Sequence, residues 1–174
     1  AAAALVERSA TAELANAGLP LLVVDDSRRA LGALAAAWRA RFTLPLIGIT
    51  GSNGKTTVKE MCAAILRAQA RRHGFGEESV LATHGNLNND IGLPLSLLGL
   101  RDYHRAAVIE MGMNHPGEIR YLTGIARPTM AVITNIGDAH LENMGSRENT
   151  LRAKCEIFEG MPRGSAAVFS GDDE

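Results

Sequence analysis

Leu44-Pro45-Leu46-Ile47-Gly48-Ile49-Thr50-Gly51-Ser52-Asn53-Gly54-Lys55-Thr56-Thr57 is an apolar run that breaks on glycines and ends on a lysine and two hydroxyls. Residues 44–50 read as a buried strand, and beyond the turn Val58, Met61, Cys62, Ile65 and Leu66 keep a helical period. Strand, glycine-rich turn and helix therefore follow one another. Gly51 and Gly54 permit backbone angles that turn successive N–H groups inward, and the helix adds its positive N-terminal end. That arrangement holds a polyphosphate, so Gly51, Ser52, Asn53, Gly54, Lys55, Thr56 and Thr57 are the expected ATP-binding residues. Lys55 would reach the β- and γ-phosphates, and the Thr56 hydroxyl would take one position on Mg²⁺. The stretch departs from G-x-x-x-x-G-K-[ST], because Ile49 stands at the first glycine position between Gly48 and Gly51. A glycine turn with an incidental lysine is the alternative reading.

Outward from this turn the same alternation continues. Upstream, residues 21–24 form an apolar strand-like run, and Ser27 is placed to cap a helix with Leu31, Leu34, Ala35, Trp38 and Phe42 at helical spacing. Downstream, strands are expected at residues 79–83, 106–111, 129–134 and 166–170. Helices are expected near 93–98, at 116–123 with Pro116 in the first turn, and at 147–158 with Leu151, Cys155 and Phe158 on one side. Strands alternating with helices imply an α/β, doubly wound, mainly parallel sheet with helices on both faces. Ligands of such sheets gather at the C-terminal strand ends, where the glycines, Glu110 and Asn135 fall, and Asn135 is accordingly expected among the ATP-binding residues.

The 174 residues suit one domain, or one domain and part of another, and 46% are apolar, enough for a sizeable core. Residues 1–43 are richer in alanine and hold no chemical motif, so a domain boundary is expected near Thr43. A formal charge of −1 gives no electrostatic reason to expect nucleic acid or an anionic membrane. No apolar run approaches a membrane span and no signal-peptide pattern precedes the chain, which points to a cytoplasmic protein, expected as a monomer. Cys62 and Cys155 lack metal-type spacing and read as reduced thiols in or near the core. Arg67, Arg71 and Arg72 read as a solvated helix end. The start on Ala and the stop at Glu174 suggest a fragment of something longer.

Several residues carry two readings. Glu110 ends a buried-type strand beside the phosphate-turn strand and suits Mg²⁺, an oxygen-seeking ion, or else caps or pairs electrostatically. Asn86, Asn88 and Asn89 offer amides suited to substrate phosphate and sugar oxygens, or simply shape a turn. By residue type alone, Lys154 is a solvated helix lysine paired with Glu156 or Glu159. His73, His84, His104 and His115 read as exposed histidines, as does the loop residue His140, taken alone.

The longer string Gly48 to Thr57 resembles the T-G-x-N-G-K-T-T signature of the Mur ligases and folylpolyglutamate synthetases. Four further segments follow in order: G-N-L-N-N-D-I-G-L-P from Gly85, E-M-G-M-N-H-P-G-E-I from Glu110, N-I-G-D-A-H-L-E from Asn135 and A-K-C-E-I-F from Ala153. Together these are similar to the Mur ligase family. The resemblance implies ATP-dependent amide-bond formation in peptidoglycan precursor synthesis, with D-alanyl-D-alanine added to UDP-N-acetylmuramoyl-tripeptide. It implies two Mg²⁺ ions, with Glu110, Thr56 and His140 among the ligands, and a CO₂-derived carbamate on Lys154 as an anionic ligand. Lys55, His140 and Lys154 would then be the catalytic residues. Residues 1–43 would be the tail of the UDP-substrate domain and its linker, and residues 44–174 an incomplete central ATP-binding domain. The third domain would be absent, so turnover by this chain alone is not expected. The rivals are another family member, such as a folylpolyglutamate synthetase, and a P-loop module that uses ATP to change a partner interface.

Overall fold

The computed structural model describes residues 2–137 and 144–171. Five strands make one wholly parallel sheet: β3 (Leu46–Thr50), β4 (Val80–Ala82), β5 (Ala106–Glu110), β6 (Met130–Ile133) and β7 (Ala166–Phe169), in the order β4-β5-β3-β6-β7. A separate parallel pair joins β1 (Ala4–Glu7) to β2 (Leu21–Val24). β1 and the short helix α1 (Thr11–Leu14) lie in the alanine-rich start, where no period announces them. The expected doubly wound architecture is what forms.

Period-two alternation in the central strands decides what each face buries. Leu46, Ala107, Ile109, Ala131 and Ile133 point to one side, under α2 (Ser27–Arg39), α4 (Gly92–Leu98) and α5 (Glu118–Ala126). Leu93, Leu97, Ile119 and Leu122 from α4 and α5 are all but wholly buried there. Each such side chain contributes roughly 1.5–3 kcal/mol. Ile49 and Val108 point to the other side, against Ala63 of α3 (Lys55–Arg72). Glu110 shares the parity of Val108, so its carboxylate emerges on the face that α3 covers.

The chain leaves β3 toward β4 by way of α3 on one face. It leaves β5 toward β6 by way of α5 on the other. Those departures diverge at the C-terminal ends of β3 and β5, which are neighbours paired Ile49 to Glu110. This is the crevice in which doubly wound sheets bind ligands.

Several local expectations are corrected. The N-cap of α2 is Asp26, whose Oδ1 accepts the Arg29 N–H at 2.9 Å. Ser27 is the first helical residue and donates its hydroxyl to Glu7 at 2.7 Å. Leu34 is exposed, while Gly32, Ala35 and Arg39 form the buried side of α2. On α3, Met61 and Ile65 face solvent, while Lys59, Ala63 and Ala70 are buried. α5 begins at Glu118, because Gly117 takes a left-handed φ of 88° at its N-cap. The last helix, α6 (Arg147–Cys155), tightens into a 3₁₀ turn over Glu156–Phe158. His104 is buried, contrary to the exposed reading, and its Nδ1 accepts the Arg101 N–H at 2.9 Å. Among the described residues no helix is long and apolar enough to cross a membrane.

Candidate functional site

The turn after β3 is braced by the segment that follows β6. Asn135, just past β6, accepts the Ser52 N–H on its carbonyl at 3.0 Å and the Asn53 N–H on its Oδ1 at 2.9 Å. The Ser52 hydroxyl accepts the Gly137 N–H at 2.8 Å, and the Thr134 hydroxyl donates to Asn53 O at 2.6 Å. Gly51 sits at φ 147°, and a Cβ there would lie 1.8 Å from Thr134 Oγ1, so the residue must be glycine for the turn to close. Asn135 thus braces the turn with its own side chain.

Gly54, at φ 78°, starts α3 with no capping side chain and no acidic residue in the first turn. The first helical hydrogen bond is Val58 N to Gly54 O. The preceding N–H groups therefore end at an uncapped positive pole of an eighteen-residue helix. Lys55 folds back over the turn, donating from Nζ to Gly51 O at 2.8 Å and to Ser52 O at 3.3 Å. Burial lowers its pKa, and the nearby Glu110 carboxylate opposes that shift.

Glu110 is 2% exposed. Its Oε2 accepts the Thr56 hydroxyl at 2.9 Å, and its Oε1 accepts Asn88 Nδ2 at 2.8 Å. Its N–H donates to Thr83 Oγ1 at 2.9 Å. Among the described residues no cation pairs with this carboxylate, and no cluster of three acidic, histidine or cysteine side chains surrounds it. A buried anion held only by neutral donors suits a hard cation that keeps few protein ligands. Mg²⁺ characteristically takes one or two carboxylates and completes its shell with phosphate and water oxygens.

Lys154, 1% exposed on α6, is the second unbalanced charge. The carboxylates expected to pair with it are engaged elsewhere: Glu156 accepts the Gly117 and Arg120 N–H groups, and Glu159 is paired with Arg120. Among the described residues Lys154 has no hydrogen bond or ion pair. Burial, reinforced by the neighbouring Lys55, lowers its pKa from 10.5 to about 8. An amine that is easily neutral stands beside the phosphate turn.

The Asn-rich loop divides its duties. Asn88 reaches Glu110, Asn89 Oδ1 accepts the Gly92 N–H at 2.8 Å near the start of α4, and Asn86 is exposed. A pocket of about 420 Å³ opens beside Lys55, lined among others by Asn88, Asn89, Asn114, Arg28 and Asp90. Arg28 and Asp90 pair across it at 3.3 Å. A larger cavity of about 610 Å³ runs along α6 and β7 past Ile133, Leu151, Phe158 and Phe169, and holds none of the residues of the phosphate turn. His140 lies outside the described residues.

Sequence reading missed Lys59, Thr83 and Thr134. Lys59 alone had a signal: it falls four residues after Lys55 and four before Ala63, on the side of α3 that meets the sheet.

The chain is similar to known proteins along most of its length. The Mur ligase middle domain model matches residues 49–174. Two relatives named UDP-N-acetylmuramoyl-tripeptide–D-alanyl-D-alanine ligase, from Haemophilus influenzae and Escherichia coli, are 46% and 44% identical over 92% and 89% of this chain. The matches cover 34% and 32% of those relatives, so the chain spans about a third of their length. Among solved structures, MurF from Acinetobacter baumannii aligns with a TM-score of 0.82 at 44% identity, covering 91% of this chain and 34% of that one. MurF from Thermotoga maritima, solved in complex with ADP, aligns at 0.79 with 37% identity, covering 88% and 34%.

Proposed function

This chain belongs to the Mur ligase family, and from that premise we propose that it is the ATP-binding part of a ligase that adds D-alanyl-D-alanine to UDP-N-acetylmuramoyl-tripeptide. Residues 44–174 would form most of the central domain, and residues 1–43 the close of the UDP-substrate domain and its linker. The observation that carries the reading is the convergence of three features on one crevice: the uncapped start of α3, the Thr56–Glu110 contact at 2.9 Å, and the buried Lys154, which has no ion pair among the described residues.

In the proposed reaction the tripeptide's terminal carboxylate attacks the γ-phosphorus of ATP, the bond to ADP breaks, and an acyl phosphate forms. The amine of D-alanyl-D-alanine then displaces phosphate from that carbonyl and loses a proton, leaving the amide. The chain's own part is positioning and charge balance. The free N–H groups at the start of α3 hold phosphate oxygens. Lys55 would exchange its contacts with Gly51 O and Ser52 O for the transferring phosphoryl group, and Thr56 and Glu110 would hold the first Mg²⁺. When bound, Mg²⁺ neutralises charge on the phosphates and on the attacking carboxylate.

Lys154 and His140 would serve a second Mg²⁺. The neutral amine of Lys154 is the form that would take up CO₂, its nitrogen bonding the carbon and releasing a proton to solvent, and the carbamate so formed would replace a cation that repels Lys55 with an anion that attracts it. Asn88 and Asn89 border the pocket beside Lys55, where the UDP-muramoyl peptide would place its carboxylate, and Asn86 would meet the substrate from its exposed place on the same loop.

In a ligase containing this chain, phosphate release should require both the UDP-muramoyl-tripeptide and D-alanyl-D-alanine. Release that depends on a folate would assign the chain to the folylpolyglutamate synthetase branch. ATP hydrolysis indifferent to any amine would favour a P-loop switch.

A further inference from the structure

Lys59 is a wholly buried cation for which the proposed chemistry has no use. It sits one turn beyond Lys55 on the sheet-facing side of α3. Its Nζ donates to Thr83 O at 2.8 Å and to Gly85 O at 3.4 Å, and meets Glu60 Oε1 at 2.9 Å. Glu60 is itself largely exposed, so this ion pair lies at the rim and the two carbonyls define the inner environment. Lysine is rarely fully buried, because its ammonium surrenders a strong hydration shell. An aliphatic side chain would fill the same space without that penalty. What only the ammonium supplies is a clamp on two consecutive parts of one loop.

That loop controls Glu110. Thr83 ties it to β5 twice, donating its N–H to Val108 O at 3.0 Å and accepting the Glu110 N–H on Oγ1 at 2.9 Å. Five residues on, Asn88 donates Nδ2 to Glu110 Oε1 at 2.8 Å, and its carbonyl accepts the Gly112 N–H at 2.8 Å. The other carboxylate oxygen is held by Thr56, which belongs to α3. Glu110 is therefore gripped between α3 and the loop after β4. Lys59 is the side chain that joins those two jaws, since it shares a helix with Thr56 and holds the backbone that leads to Asn88.

We propose that Lys59 is a positioning residue for the cation site at Glu110. By clamping residues 83–85 to α3 it sets the separation of Thr56 and Asn88, and so the direction in which Glu110 presents its oxygens. The inference rests on reading Thr56 and Glu110 as the Mg²⁺ end of a nucleotide site.

The test is calorimetric titration of the chain with ATP, once with excess chelator and once with Mg²⁺, for the unaltered protein, Lys59→Met and Thr83→Val. Loss of a group that orients a metal ligand lowers metal affinity by about tenfold or more. The ratio of the two ATP affinities should accordingly fall about tenfold in Lys59→Met, while chelator-bound affinity, set by the turn and Lys55, stays within about twofold. Thr83→Val leaves Lys59 in place and cuts the tie to the Glu110 N–H, and it should lower the same ratio. A general loosening of the fold would lower both affinities together. That result, or a ratio unchanged in the variants, overturns the role of Lys59. If Lys59→Met gives no folded protein, Lys59→Gln, a shorter neutral donor that cannot span both carbonyls, decides by the same ratio. Failure of the unaltered chain to bind ATP at all would instead overturn the nucleotide site itself.

Discussion

Replacing Lys154 by methionine should make the protein more stable. Methionine keeps an unbranched chain that fits the lysine's channel and removes the ammonium. In the folded state burial and Lys55 lower the Lys154 pKa from 10.5 to about 8. At about 1.36 kcal/mol per pKa unit, that shift forfeits roughly 3 kcal/mol of stability at neutral pH. The unfolded chain holds the proton more tightly than the folded one, so between pH 8 and 10.5 the unfolded state binds more protons and stability rises with pH. The penalty is complete below the folded pKa and gone above the unfolded one. Lys154→Met should therefore be more stable by about 3 kcal/mol at pH 7, with the advantage fading toward pH 10.5. Urea denaturation of both proteins, followed by circular dichroism across that range, measures it. Equal stability at neutral pH, or a difference that ignores pH, would refute the idea that Lys154 is an uncompensated buried charge. The same shift bears on the proposed carbamate: at pH 8 roughly half of the amines are neutral, against about 0.3% for an ordinary lysine. With ¹³C-bicarbonate, a carbamate resonance should appear in the unaltered chain and be missing from Lys154→Met.

Gly51→Ala combines an unfavourable φ of 147° with a Cβ 1.8 Å from Thr134 Oγ1. The backbone strain alone should cost about 1–3 kcal/mol in chemical denaturation. ATP binding should be lost with it, and adding Thr134→Ala should recover only part of the stability. Glu110→Gln removes the negative charge and keeps the shape, so the Mg²⁺-dependent gain in ATP affinity should fall about 10–100-fold. Metal-free ATP should bind no worse to that variant, because a carboxylate that repels phosphate has gone. His104 has its pKa lowered by burial, so the folded state resists protonation that the unfolded state accepts. Stability should therefore fall as pH drops below about 6.5, and His104→Asn should flatten that slope in thermal melts.

The five-strand sheet was legible because strands of a parallel sheet are written as near-continuous apolar runs between turns, a pattern that β5, buried throughout, shares with the exposed edge strand β7. β1 was not, since Leu5 and Val6 follow directly on a run of alanines with no turn signal to set a strand apart. Glu110 could be placed from its position at a strand end, and strand parity explains why it faces α3. Helix faces were less legible. Val58, Cys62 and Leu66 pack against the sheet as their period implies, but Met61 and Ile65 of the same period face solvent and the most deeply buried positions are Lys59 and Ala63, because carbonyls of a loop distant in sequence satisfy the ammonium. Ser27 and Asp26 are both good caps, and Glu7, twenty residues earlier, draws Ser27 away. The partners expected for Lys154 are bound by Gly117 and Arg120 of another element. Helical spacing alone does not reveal such competition. The residues that brace the turn, Thr134 and the Asn135 side chain, come from a strand end more than eighty positions away.

The central claim is that residues 51–57 form a phosphate site in which Lys55 carries charge to the nucleotide. Calorimetric titration of this chain and of Lys55→Ala with ATP and Mg²⁺ tests it most directly. The unaltered chain should bind and the variant should bind far more weakly, with its fold intact by circular dichroism. Equal affinity for both would contradict the account.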